Sequence, residues 1–183
     1  EAMTAPRAEG ALRVVADTAR EALGVATCRV HVAPDDVGLR EPMTGSVAGT
    51  PGINTVSSGR GTAPECDLEP VRLALGRGTR VAVLTEGIVR LLPSDQSSLQ
   101  AGLTGETATR LLLPLRGGAT VIGVLDVADP KGIALDEARE RLLAALAYYA
   151  ALGAERARLE RTAEHLEVMR EAERMRNTVL ASV

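Results

Sequence analysis

The chain has 183 residues, 45% hydrophobic and 25% charged, and its 21 basic and 24 acidic residues give a formal net charge of −3. That length suits one domain with an extension, and the apolar fraction is enough to build a core. Aromatic residues make up 1% of the chain, Tyr148 and Tyr149 alone, so the core must be aliphatic and a site that stacks planar ligands on rings has almost nothing to use.

Lys131 is the only lysine. The other basic residues are arginines, balanced by acids and gathered into no stripe, which argues against a nucleic-acid partner. Cys28 and Cys66 form no CxxC and no metal-ligand spacing, so a reduced, cytoplasmic setting with no metal and no cofactor is expected. No apolar run reaches the ~20 residues of a membrane span. No signal peptide is read at the start either. Direct membrane insertion of this chain is therefore not expected, and any anchor of a parent protein lies outside it.

Residues 5–24 place Ala8, Ala11, Leu12, Val15, Ala19, Ala22 and Leu23 at helical spacing and predict an amphipathic helix, with Thr4 as its start signal and Gly24 as its stop. Alternation from Ala26 to Ala33 predicts a strand with Cys28, Val30 and Val32 on one face and Arg29 and His31 on the other. His31, with no partner motif, reads there as a surface residue rather than a ligand or a general base.

Residues 38–66 are dense in Gly, Pro, Ser and Thr and predict a long loop with one short strand at Ile53–Val56. Within it, Ser57-Ser58-Gly59-Arg60-Gly61-Thr62 lacks the lysine and the strand-to-helix setting of a phosphate loop. Leu68–Leu75 predicts a short helix with Pro70 in its first turn and Gly76 or Gly78 as its cap. Arg80–Leu84 predicts a strand. Residues 85–106 predict a polar segment with one helical turn at Gln96–Ala101. Arg110–Leu115 and Thr120–Val127, joined by Arg116-Gly117-Gly118-Ala119, predict a β-hairpin.

From Asp136 to Ser182 the chain reads as one helix of ~70 Å at ~1.5 Å per residue. A compact domain of this size has a radius of gyration of only ~16 Å, so the distal part is expected to project. Residues 142–154 carry no charge, and a helix apolar all round needs cover all round. A sheet covers one side; a helix from a second chain is expected on the other. Leu152, Leu159, Leu166 and Leu180 continue a seven-residue spacing that Glu173 interrupts, with companions Tyr148, Glu155, Thr162, Met169, Arg176 and Val183. Leu146, Tyr149, Leu152, Leu159, Leu166, Met169 and Leu180 are therefore taken as the residues of a dimer and signalling helix, in a homodimer formed through the first and last helices.

The order of elements, with Ala74-Leu75-Gly76-Arg77-Gly78-Thr79-Arg80-Val81-Ala82-Val83, Leu113-Pro114-Leu115 and Ile122-Gly123-Val124-Leu125-Asp126-Val127, resembles a GAF domain. The resemblance implies an α+β fold: an antiparallel sheet of five or six strands with helices on its faces, plus a long C-terminal signalling helix. The first and last helices would pack on one face, and loops would form a ligand pocket on the other. Arg174-Met175-Arg176-Asn177-Thr178-Val179-Leu180-Ala181-Ser182-Val183 resembles the stretch just before the phosphoacceptor histidine of sensor histidine kinases. The expected organisation is a sensory domain over residues 5–153 and a coiled-coil-like signalling helix over 154–183, ending just before the dimerisation domain of such a kinase. The chain is also similar to the sensory region of potassium- or osmosensing kinases.

Specialised members of the family are separated by their residues. The cyclic-nucleotide motif needs a Phe, and this chain has none. Cys66 lacks the aromatic setting of a bilin-attaching cysteine, and neither His31 nor His165 looks like an axial haem ligand. Three readings stay open: a sensor of an unidentified small molecule, a dimerisation module with an empty pocket, and a thiol-based sulfoxide reductase using Cys28 and Cys66. The expected reading is a regulatory domain without turnover of its own, since no nucleophile–base pair or metal cluster is visible.

Overall fold

Two long aliphatic strands around a tight turn form the centre of the fold. In the computed structural model, which describes residues 6–33, 53–59, 67–92, 98–103 and 105–181, β5 (Ala108–Gly117) and β6 (Thr120–Ala128) pair antiparallel across Gly118-Ala119. Gly118 supplies the positive φ (61°) of the turn. Before them come α1 (Pro6–Leu23), β1 (Thr27–Val32), β2 (Asn54–Gly59), α2 (Glu69–Arg77), β3 (Arg80–Leu84), β4 (Val89–Leu92) and α3 (Leu99–Leu103); after them runs α4 (Glu137–Ala181). The six strands make one antiparallel sheet in the order β2-β1-β6-β5-β3-β4.

Alternation along each strand divides the side chains between two faces. One face is aliphatic: Cys28, Val30, Leu111, Leu125 and Val127 pack with Leu12, Ala16, Ala19 and Leu23 of α1 and with Leu143, Leu146, Ala150 and Ala154 of α4. On the other, Val81, Leu112 and Val124 pack under Val71, Ala74 and Leu75 of α2. Helix α2 carries Pro70 in its first turn, where no amide partner is lost, and closes on Gly78 in the left-handed conformation.

Several expectations need correction. The buried stripe of α1 runs through Leu12, Ala16, Ala19 and Leu23, whereas Ala11 and Ala22 are exposed. Its phase is set by Leu12 lying over Gly153 of α4, where a Cβ would stand 3.1 Å from the leucine. Strand β4 was not foreseen: Gly87, at a φ of 77°, reverses the chain so that Val89 pairs with Val83. The uncharged run 142–154 is covered on one side only. Leu143, Leu146, Ala150, Ala151 and Ala154 are buried, but Tyr148, Tyr149 and Leu152 are exposed. Thr4 and most of the loop expected over 38–66, with Cys66, lie outside the described residues. No helix among the described residues is long and apolar enough to cross a membrane.

Candidate functional site

A row of polar side chains crosses the α2 face of the sheet, on four adjacent strands. Residues of the same parity share a face, so Arg29 and His31 of β1, Thr55 of β2, Arg110 of β5 and Asp126 of β6 converge. Asp126 stands opposite Arg29 and diagonal to His31 and Arg110 in the strand register, and His31 stands opposite Thr55. Gly123 lets β6 approach β1 closely, because a Cβ there would fall 2.4 Å from the His31 carbonyl oxygen.

Asp126 is the hub. Arg110 grips it with a fork, Nε to Oδ1 at 2.8 Å and Nη2 to Oδ2 at 2.7 Å. His31 Nε2 lies 3.2 Å from Oδ2, and Arg29 Nη1 4.0 Å from the same oxygen. An ionised carboxylate only accepts, so His31 donates from Nε2; in the neutral ring Nδ1 then accepts from the Thr55 hydroxyl, 3.0 Å away. Arg110 also donates from Nη1 to the Asp67 carbonyl at 2.9 Å, tying the sheet to the chain that leads into α2.

His31 and Asp126 are almost wholly buried, at 0% and 1% exposure. This overturns the surface reading of His31. A histidine alternating with valines reads as solvent-facing unless the opposite strand holds its partner, and that partner is 95 residues away. Burial pushes the Asp126 carboxyl up. The hydrogen bonds from His31 and Arg110, and the charges behind them, outweigh burial and hold it below its usual range. The one visible signal was Asp126 itself, a lone carboxylate inside Ile122-Gly123-Val124-Leu125-Asp126-Val127. Such a group stays in a core only when it is paired.

A second polar contact fastens the sheet edge on the opposite face. Ser58 of β2 donates to Asp17 Oδ1 and accepts from Arg20 Nε at 3.1 Å, both on α1. The run expected not to be a phosphate loop is, through Gly59, an edge strand tethered to a helix.

The residues assigned to the signalling helix divide. Leu146 is buried in its own chain's core, so it is not part of an exposed seam. Tyr149, Leu152, Leu159, Leu166 and Met169 are each more than half exposed. Leu180 belongs to α4, but its side chain lies outside the described set. His165 is exposed on α4, away from the buried row. Among the described residues, no group of His, Cys, Asp and Glu is arranged to hold a metal ion.

The profile of the GAF domain family matches residues 7–153. The chain belongs to the GAF domain family. No curated protein matches it. Among solved structures it is similar to the GAF domain of an Acinetobacter phosphoenolpyruvate-protein phosphotransferase, at 16% identity and a TM-score of 0.53 over 83% of this chain and 84% of that one. It is similar to a type II free methionine-R-sulfoxide reductase from Thermoplasma acidophilum, at 14% identity and a TM-score of 0.55 over 83% and 95%. A methyl-accepting chemotaxis protein gives 14% identity and a TM-score of 0.54 over 83% and 91%. At these identities the likeness is one of fold. The GAF domain is a regulatory, sensory fold, and α4 here runs well past the matched region.

In this GAF domain Cys28 is buried in the aliphatic face of the sheet. Burial, then the nearby Asp126 and Asp17 carboxylates, push its thiol up to about 12. At neutral pH only about one molecule in 10⁵ would carry the nucleophilic thiolate.

Proposed function

We propose that this GAF domain is the cytoplasmic sensory module of a two-component sensor histidine kinase, and that it relays ligand or partner binding through paired C-terminal helices. In this reading residues 5–153 sense and residues 154–183 transmit. The observation that carries it is the continuity of α4. The helix leaves the core after Ala157, and its described side chains from Thr162 to Arg176 are all exposed. Leu152, Leu159 and Leu166 repeat along it every seven residues, the pattern of a helix that meets a second helix. The likeness of residues 174–183 to the stretch before a phosphoacceptor histidine supports a kinase as the receiver.

The buried row on the α2 face suits the sensing end. It joins the approach to α2 at Asp67 to β1, β5 and β6, and the opposite face of those strands packs on α1 and α4. A ligand or partner that displaced the α2 approach would act on the same strands that support α4, shifting a two-state packing. The burial of the Cys28 thiol argues against the sulfoxide-reductase chemistry named for one structural neighbour.

Two measurements test the reading. The whole protein encoded by the gene should label on histidine with ATP, and a protein that never labels removes the kinase. In that protein, deleting Ala163 turns everything beyond it by ~100°, whereas deleting seven residues restores the face. The single deletion should shift basal activity strongly and the heptad deletion should keep regulation. Equal effects would make the helix a passive spacer.

A further inference from the structure

Strand β2 lies at one end of the sheet and pairs with β1 alone. Its sequence, Asn54-Thr55-Val56-Ser57-Ser58-Gly59, brings one large apolar residue, and Val56 is only partly buried. Elements with so little apolar cover are those that open locally at low free energy. Two polar contacts hold β2, one on each face. On the α2 face Thr55 donates to His31 Nδ1 at 3.0 Å, at the end of the line that runs through His31 Nε2 to Asp126. On the other face Ser58 donates to Asp17 Oδ1 and accepts from Arg20 Nε at 3.1 Å, both on α1. Thr55 is exposed and His31 is not, so Thr55 is the accessible end of the polar row.

We propose that β2 is a releasable strap that couples the polar row to α1: breaking the Thr55–His31 bond detaches the strand, and its detachment frees α1 at Asp17 and Arg20. The inference rests on the sensing role proposed for that row and names a path from it to α4. Both contacts exist only while β2 lies on β1. Each therefore stabilises the state that the other needs, and weakening either weakens both by linkage. A ligand whose O–H or N–H donates to His31 Nδ1 displaces the Thr55 hydroxyl, because that nitrogen has one lone pair in the neutral ring. The strand then opens more often. On release Arg20 keeps Glu21 beside it, at 3.3 Å, but loses its hold on the sheet edge. Helix α1 carries the change onward. Its Leu12 sits against Gly153 of α4, one turn before Ala157, the last buried residue of that helix among those described.

Site-resolved hydrogen exchange on the full chain tests the strap. It needs no kinase, so its failure leaves the proposed function to be decided separately by histidine labelling. In the wild-type chain the protected β2 amides should exchange at least ~10-fold faster than those of β5 and β6. Equal rates would mean that β2 opens only with the whole domain, which overturns the proposal. Thr55→Val keeps the β-branched shape, and its strand propensity is no lower, so propensity alone would slow exchange. With the hydroxyl gone, the β2 amides at both ends should instead exchange ~5-fold faster or more, and so should the Arg20 Nε proton on the opposite face. Ser58→Ala should speed the amides at the Thr55 end by a similar factor. Acceleration confined to the substituted end shows independent fraying and overturns the coupling, as does an Arg20 Nε proton that Thr55→Val leaves unchanged.

Discussion

The two faces of the sheet hold together by different physics. The α1/α4 face is a continuous aliphatic layer in which Leu12, Leu125 and Leu143 are nearly wholly buried. Its stability is spread over many non-directional contacts, each replaceable by a residue of similar volume. The α2 face has a smaller apolar patch, around Val71, Val81 and Val124, beside a buried carboxylate with three cationic or imidazole partners. There the geometry is directional, and loss of one member takes a hydrogen bond from its neighbours in a low-dielectric setting. The first face can absorb small changes. The second tolerates them poorly, because each member depends on the placement of the others.

The sharpest way to break that contrast is Asp126→Ala. It removes the acceptor that Arg110 and His31 share and should cost ~3–5 kcal/mol in urea unfolding. A cost under ~1 kcal/mol would mean the network is slack. On the aliphatic face, Leu143→Ala should cost ~2–5 kcal/mol through the cavity it opens. Leu152→Ala, one face round the same helix, should change monomer stability by under ~0.5 kcal/mol. Equal losses at the two positions would show that the outer stripe of α4 is already covered.

Acid titration separates the faces further. The native carboxyl of Asp126 titrates below the unfolded one, so between the two values the unfolded chain binds more protons. The stability this group contributes is therefore present above the ordinary Asp range, near pH 4, and is lost as pH falls through the native value. Asp126→Asn should flatten the acid limb of a melting-temperature profile; an unchanged limb would sink the assignment. Cys28 has the opposite sign. Its native pKa of about 12 is above the unfolded value, so its contribution is present below pH ~9 and fades as pH rises toward 12. The smallest effect is kinetic. With Cys66→Ser, Cys28 should react with a thiol reagent at neutral pH only as fast as the domain opens, and should react at once in denaturant.

The same contrast separates what was legible in the chain. Aliphatic elements announce themselves locally. Arg80–Leu84 was read with the bounds that β3 has, and the β5–β6 hairpin and α2 followed from Gly-Gly, Pro70 and Gly78. The phase of α1 was not legible, because alanines on nearly every side make several stripes equivalent until Leu12 finds Gly153. Nor was the polar row. Arg29 and His31 carry no local sign of burial, and their partner arrives only when β1 pairs with β6, a contact that period-two alternation cannot see.

The unbroken course of α4 makes the domain a lever with unequal arms. Its last buried residue is Ala157, and about 36 Å of helix lies between there and Ala181. A tilt of ~10° at the fulcrum would carry the tip sideways by ~6 Å, about one helical turn's pitch, and Leu143, ~21 Å to the other side, by ~4 Å. The far end of the rod therefore moves nearly twice as far as the buried turn at Leu143 that starts it.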